Sequence, residues 1–214
     1  MRLKRVITSG ILAVALAVSS LAFAAVPTLT LEAKGPDKTS GMLLIGDDAL
    51  YVGSAMEGEH SVKTVKGATY NAKTNTLTLN NFNKPNAIIS VGYMGSDFKI
   101  AVKGKKNSVA TISGYTYGSP LCITFTGSGK LAVNKKKSFA NGIEIQYNDA
   151  ASKIVFAKKV KVNAYAGDSG YPVYVSSSAS DVKKAIVKKG GSMTECKAGE
   201  DGEFYCDAAK FVKK

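Results

Sequence analysis

An all-β fold is the class this sequence predicts, and two observations predict it: apolar and polar residues alternate with period two in short runs, and the runs recur at a near-constant distance. Thr76-Leu77-Thr78-Leu79-Asn80, Phe98-Lys99-Ile100-Ala101-Val102-Lys103, Lys130-Leu131-Ala132-Val133-Asn134 and Lys159-Val160-Lys161-Val162-Asn163 alternate in this way. So do Ile143-Glu144-Ile145-Gln146 and Val173-Tyr174-Val175-Ser176. Such runs, rich in β-branched side chains and bounded by Gly, Asn, Asp or Ser, read as half-buried strands. Hardly anything between Gly67 and Ser178 follows the 3.6-residue period of a helix. Leu79 and Val102 lie 23 residues apart, Val102 and Phe125 23, and Phe125 and Ile145 20. A coil of a parallel β-helix takes roughly that many residues, and self-similarity at such a period marks a solenoid. A β-sandwich also has many short strands and is the alternative reading.

The chain opens on a basic stretch, Met1 to Arg5, followed by an apolar run from Val6 to Ala24 that closes on Ala22-Phe23-Ala24. That is the pattern of a secretory signal peptide over residues 1–24, which places the remainder outside the cell with no transmembrane segment after cleavage. Residues 25–40, with Pro27 and Pro36, read as a flexible leader. A β-helix domain is expected over 41–178, with Leu43-Leu44-Ile45 and Ala49-Leu50-Tyr51-Val52 as strands that precede or cap the first coil. Residues 179–214 are expected to form the C-terminal cap. Ser180 is its candidate N-cap, Asp181 to Lys189 its helix, and Gly190-Gly191 the stop. In an exported chain Cys196 and Cys206 are expected to form a disulfide, whereas Cys122, in an apolar run, reads as a lone thiol beside a strand.

Gly67 to Phe82, Asp97 to Gly104 and Thr126 to Leu131 together resemble segments of secreted carbohydrate-binding domain-containing proteins of Gram-positive anaerobes. Gly67 to Phe82, with Tyr70-Asn71 and Thr74-Asn75-Thr76-Leu77-Thr78-Leu79-Asn80-Asn81, is similar to their Tyr-Asp-x-x-Thr-Asn-Thr-Leu-Thr-Leu-Asn-Asn opening. Asp97 to Gly104 resembles their Asp-Leu-x-Ile-x-Leu-x-Gly rung, and Thr126 to Leu131 their Thr-Gly-x-Gly-x-Leu turn. The similarity covers residues 65 to 178. The resemblance implies a small right-handed parallel β-helix that binds acidic pectic sugars, with calcium as the cofactor. Asn71 stands where that family carries an Asp.

Composition narrows the chemistry. The full chain carries 29 Lys+Arg against 16 Asp+Glu, one His and no Trp. Residues 25–214 contain no Arg and keep a net charge of +10. One His (His60) excludes multi-His metal sites and disfavours His-based catalysis. The scattered acids Asp97, Glu144, Asp149 and Asp168 mark no carboxylate pair of the kind glycoside hydrolysis needs. Asp47-Asp48, Glu57 and Glu59 lack the regular spacing of a calcium loop.

An exported protein this basic meets polyanions. Strand parity turns Lys99, Lys103, Lys130, Lys153, Lys159 and Lys161 outward, where in a stacked solenoid they line one cationic strip; the other reading is solvated charges on separate faces. Tyr115 and Tyr117 share a face if extended, and join them as candidates for packing on sugar rings. Turn tyrosines Tyr93, Tyr147, Tyr165 and Tyr171 are further candidates. The expected function is a secreted, non-catalytic module for anionic polysaccharide. A structural or adhesive protein held on a cell-wall polymer is the second reading, and a divergent polysaccharide lyase with a Lys base the third. Export and the absence of a basic-aromatic motif argue against nucleic acid.

Overall fold

The computed structural model describes residues 35–55, 62–146, 150–189, 196–200, 202–206 and 209–211. The expected signal peptide (residues 1–24), Glu57, Glu59, His60, Tyr147, Asp149 and the expected helix stop Gly190-Gly191 lie outside the described residues.

Three sheets account for the strands. The first has eight, in the order β16 (Cys196–Ala198), β17 (Glu203–Cys206), β14 (Val173–Ser176), β11 (Ile143–Gln146), β8 (Thr111–Tyr115), β5 (Ile88–Gly92), β1 (Met42–Ile45) and β2 (Asp48–Val52). The second has six: β15 (Ile186–Lys188), β12 (Lys153–Phe156), β9 (Cys122–Gly127), β6 (Lys99–Lys103), β4 (Thr76–Asn80) and β3 (Ala68–Asn71). The third runs β18 (Ala209–Phe211), β13 (Lys161–Ala164), β10 (Lys130–Val133) and β7 (Asn107–Val109).

Pairing is parallel from β4 to β15 in the second sheet, from β5 to β14 in the first and from β7 to β13 in the third. From β6 to β15 the chain visits second, third and first sheet in unbroken rotation. Strands adjacent in sequence therefore do not pair there, unlike those of a hairpin-built sandwich. Antiparallel strand pairs are β1 with β2 and β5, β3 with β4, β14 with β17, β16 with β17, and β13 with β18, with an isolated antiparallel bridge between Val65 and Ala68.

Period-two alternation becomes burial. In β4 the leucines are buried while Thr76, Thr78 and Asn80 are not, and β6 repeats the pattern with Ile100 and Val102. Register stacks the inward residues: Leu77 lies against Ile100, Ile100 against Phe125 and Phe125 against Phe156. All four are buried, and the two phenylalanine rings stack 5.1 Å apart at 8°. The expected strands Leu43-Leu44-Ile45 and Ala49-Leu50-Tyr51-Val52 form a hairpin whose first strand pairs with β5. Of the leader, residues 35–40 are described: Gly35 N donates to Asp97 Oδ1 and Asp37 N to the Tyr93 carbonyl.

Three local expectations change. Lys159 lies in a turn with Lys158, and the strand begins at Lys161, because Val160 is drawn into the core ahead of it. The expected helix Asp181 to Lys189 shrinks to α1 (Val182–Ala185), and its N-cap is Asp181 rather than Ser180, with Asp181 Oδ1 accepting from Lys184 N at 3.1 Å. Ile186 then leaves the helix to pair with Ile154, itself paired with Ile123. Burial of β-branched residues in a parallel ladder outweighs one turn of helix, whose nucleation is unfavourable in isolation.

Cys196 and Cys206 form the expected disulfide; they face each other in register across β16 and β17. The bridge spans a sequence separation of 10 and closes the hairpin that continues the first sheet beyond β14. Replacing both cysteines by serine is expected to cost about 2–3 kcal/mol by restoring loop entropy to the unfolded chain. The check is a lower urea midpoint in the double variant, which should not respond to reductant while the parent does.

Candidate functional site

The lysines gather where the chain turns from the second sheet into the third. Successive passes through that corner are 80–84, 103–107, 127–130 and 156–161. Gly127 makes the turn possible. Its φ of +92° suits glycine, and a Cβ there would lie 2.3 Å from the Val102 carbonyl oxygen in the pass below. Gly129 has no room either, since its Cβ would come within 2.6 Å of the Gly104 carbonyl oxygen.

Asparagines tie the passes together. Buried Asn107 accepts from Phe82 N at 2.8 Å through Oδ1 and donates through Nδ2 to the carbonyls of Lys103 (2.7 Å) and Lys130 (3.0 Å). Asn81, with φ of 50°, accepts from the backbone N–H of Lys105 at 3.1 Å and of Lys106 at 3.4 Å. The backbones carrying the charges are therefore held by side chains from neighbouring passes.

On this scaffold Lys103, Lys105 and Lys106 occupy one pass, Lys130 the next, and Lys158, Lys159 and Lys161 the one after. Lys130 is directly in register with Lys161, and Lys106 holds the position before Asn107, which pairs with Leu131. All but half-buried Lys161 are exposed. The sequence has no acid between Asp97 and Glu144, and none between Asp149 and Asp168. Among the described residues the one ion pair is Lys63 with Asp48, at 3.3 Å, away from this corner. Strands are about 4.8 Å apart, and two unit charges at about that distance repel by about 1 kcal/mol even in water. A ladder of cations without internal counter-charges is thus electrostatically suited to an extended polyanion.

The remaining candidates lie elsewhere, so the six predicted lysines do not form one strip. Lys99 begins β6 between Thr76 and Thr124, with Nζ 3.5 Å from the Thr74 carbonyl. Lys153 begins β12 opposite Cys122 and faces the C-terminal cap. Parity correctly turned both outward but did not say at which end of a strand, hence at which corner, each would stand. Cys122 keeps its thiol, 3.4 Å from the Thr124 hydroxyl.

Tyr115 ends β8, and Tyr117 lies beyond that strand. Tyr115 lies over Gly92, edge-on to Tyr93 at 5.8 Å and 3.8 Å from the Met42 sulfur, whereas Tyr117 is 76% exposed beyond the end of β8. Sequence reasoning missed a larger aromatic group on the first sheet. Tyr171 stacks on Tyr205 at 4.2 Å and on Tyr174 at 6.3 Å. Tyr174 donates to Glu203 at 2.7 Å, and burial together with that carboxylate pushes its phenol up to about 12. Alternation exposed Tyr174, but its partner Tyr205 comes from an antiparallel strand that no local pattern joins to it.

Comparison of this chain with protein-family models, with curated proteins and with solved structures finds no match. Its site is therefore read from its own geometry. For calcium, the Asn71 oxygen accepts from Lys73 N and Thr74 N, and Asp97 Oδ1 accepts from Gly35 N and Asn75 Nδ2. No three Asp, Glu, His or Cys side chains converge among the described residues. At position 71, where the resembled proteins carry Asp, the side-chain oxygen is thus committed to two backbone donors.

Proposed function

We propose that the rotation of the chain through three parallel-paired sheets is the coiling of a small right-handed parallel β-helix, and that the protein is a secreted, non-catalytic binder of anionic polysaccharide. The observation that supports the reading most directly is the corner of seven lysines, Lys103 to Lys106 through Lys161, on successive passes whose sequence contains no acid. A linear polyanion laid along the stack meets a new cation at each pass and relieves the repulsion between rungs. Each phosphate-like or carboxylate contact releases bound counterions, so affinity should fall steeply with salt. Attachment to an anionic cell-wall polymer uses the same corner and is the second reading; soluble-glycan preference separates the two.

The test is binding of the exported protein to polygalacturonate and to a neutral glucan across a salt series. Acidic polymer alone is expected to bind, and a Lys130→Glu/Lys161→Glu variant is expected to lose at least tenfold in affinity at low salt. Equal binding of both polymers, or no effect of the charge reversal, overturns the proposal.

A further inference from the structure

At the other side of the second sheet, the cap folds over the start of β12 and leaves an open depression of about 530 Å³. Three lysines, Lys153, Lys183 and Lys184, open onto it together with Ser178 and Ser180, and no acid does. Its remaining wall is apolar: Ala151, Ala179 and Val187.

The cap is held in place independently of any ligand. Ser177 Oγ donates to the Ser152 carbonyl at 2.8 Å, Ser178 N donates to the Ala150 carbonyl, and Val187 pairs in register with Val155. Lys184 Nζ lies 2.6 Å from Ser180 Oγ, so one cation is already oriented by a hydroxyl within the depression's wall. Asp181 sits nearby, but its Oδ1 is engaged by the Lys184 backbone N–H at the start of α1. Lys153 and Lys183 have no ion pair among the described residues.

Three cations, two hydroxyls and one apolar wall around one open depression match the three chemical faces of a single acidic sugar. These are a carboxylate, a hydroxylated edge and a C–H face. We propose that this depression is a second binding site, for one hexuronate residue, with Lys153 and Lys183 holding the carboxylate and Val187 under the ring. This assignment rests on the acidic-polysaccharide reading above and sharpens it: the lysine corner holds the run of a chain, and the depression takes one uronate unit.

Titration calorimetry of the full protein with D-glucuronate, D-galacturonate, D-glucose and inorganic phosphate tests it. Binding of at least one uronate, with glucose inert and phosphate at least tenfold weaker, is expected. Lys153→Ala/Lys183→Ala is expected to weaken the uronate at least tenfold, and Lys130→Glu/Lys161→Glu to leave it within twofold. Both variants change exposed or half-exposed side chains, and circular dichroism confirms that they fold. If polygalacturonate binds and neither uronate does, the depression's assignment fails while the corner stands. If phosphate binds as well as uronate, the site is a general anion pocket and the sugar assignment is overturned. If neither polymer nor monomer binds, the polysaccharide reading itself fails.

Discussion

Replacing Asn107 with alanine is expected to destabilise the protein by about 3–5 kcal/mol and to weaken polyanion binding in the same step. The side chain makes three hydrogen bonds, to Phe82 N, the Lys103 carbonyl and the Lys130 carbonyl, and it is 4% exposed. Its removal strands one donor and two acceptors in a buried corner, and each unsatisfied group costs about 1–3 kcal/mol. Two of the stranded carbonyls belong to lysines of the charged ladder, so the positions of those lysines should loosen as well. Urea unfolding measures the first effect and polygalacturonate affinity, in conditions where the variant is folded, measures the second. Asn107→Asp is the sharper control. It keeps an acceptor for Phe82 N but turns an oxygen toward two carbonyls, and should be at least as destabilising as alanine. A loss below 1 kcal/mol for both variants would show that the corner does not depend on this residue.

The second large effect lies inside. Phe125→Ala is expected to cost about 3–5 kcal/mol, the usual range for removing a fully buried aromatic ring. Phe125 has no exposure, pairs with Ile100 on one side and Phe156 on the other, and stacks on the Phe156 ring. The surrounding strands are hydrogen-bonded on both edges and cannot close the cavity. Phe125→Leu should cost less than half as much, because it leaves a smaller void and loses mainly the ring contact. The urea midpoint reports the difference. An unchanged slope with denaturant shows that both variants unfold as the parent does.

Much of this fold was legible in the amino-acid order because its interactions are local in pattern. Period-two alternation in Thr76 to Asn80, Lys99 to Lys103 and Val173 to Ser176 dictates which side chains face in, since a strand has only two faces. Glycines at 127 and 129 marked the corner, since only a residue without Cβ fits so close to the pass below. The pair Cys196 and Cys206 was legible from the expected export and the short spacing. The cap helix was overestimated because propensity is read along the chain, whereas Ile186 answers to Ile154, 32 residues away.

The candidate site was half legible. Charge, the absence of Arg after residue 24 and outward parity determined that lysines would cover the strands and face solvent. Which lysines meet is a matter of register between strands about 20–30 residues apart, and that is decided by how the buried columns stack. Lys130 reaches Lys161 because Leu131 must lie on Val162. Lys153 is parted from them because its strand runs from the opposite corner, and Tyr205 finds Tyr171 only because the disulfide-closed hairpin adds antiparallel to β14. Local composition and periodicity determined the strands and their inner faces. The long-range packing of those inner faces alone decided which outer side chains became neighbours.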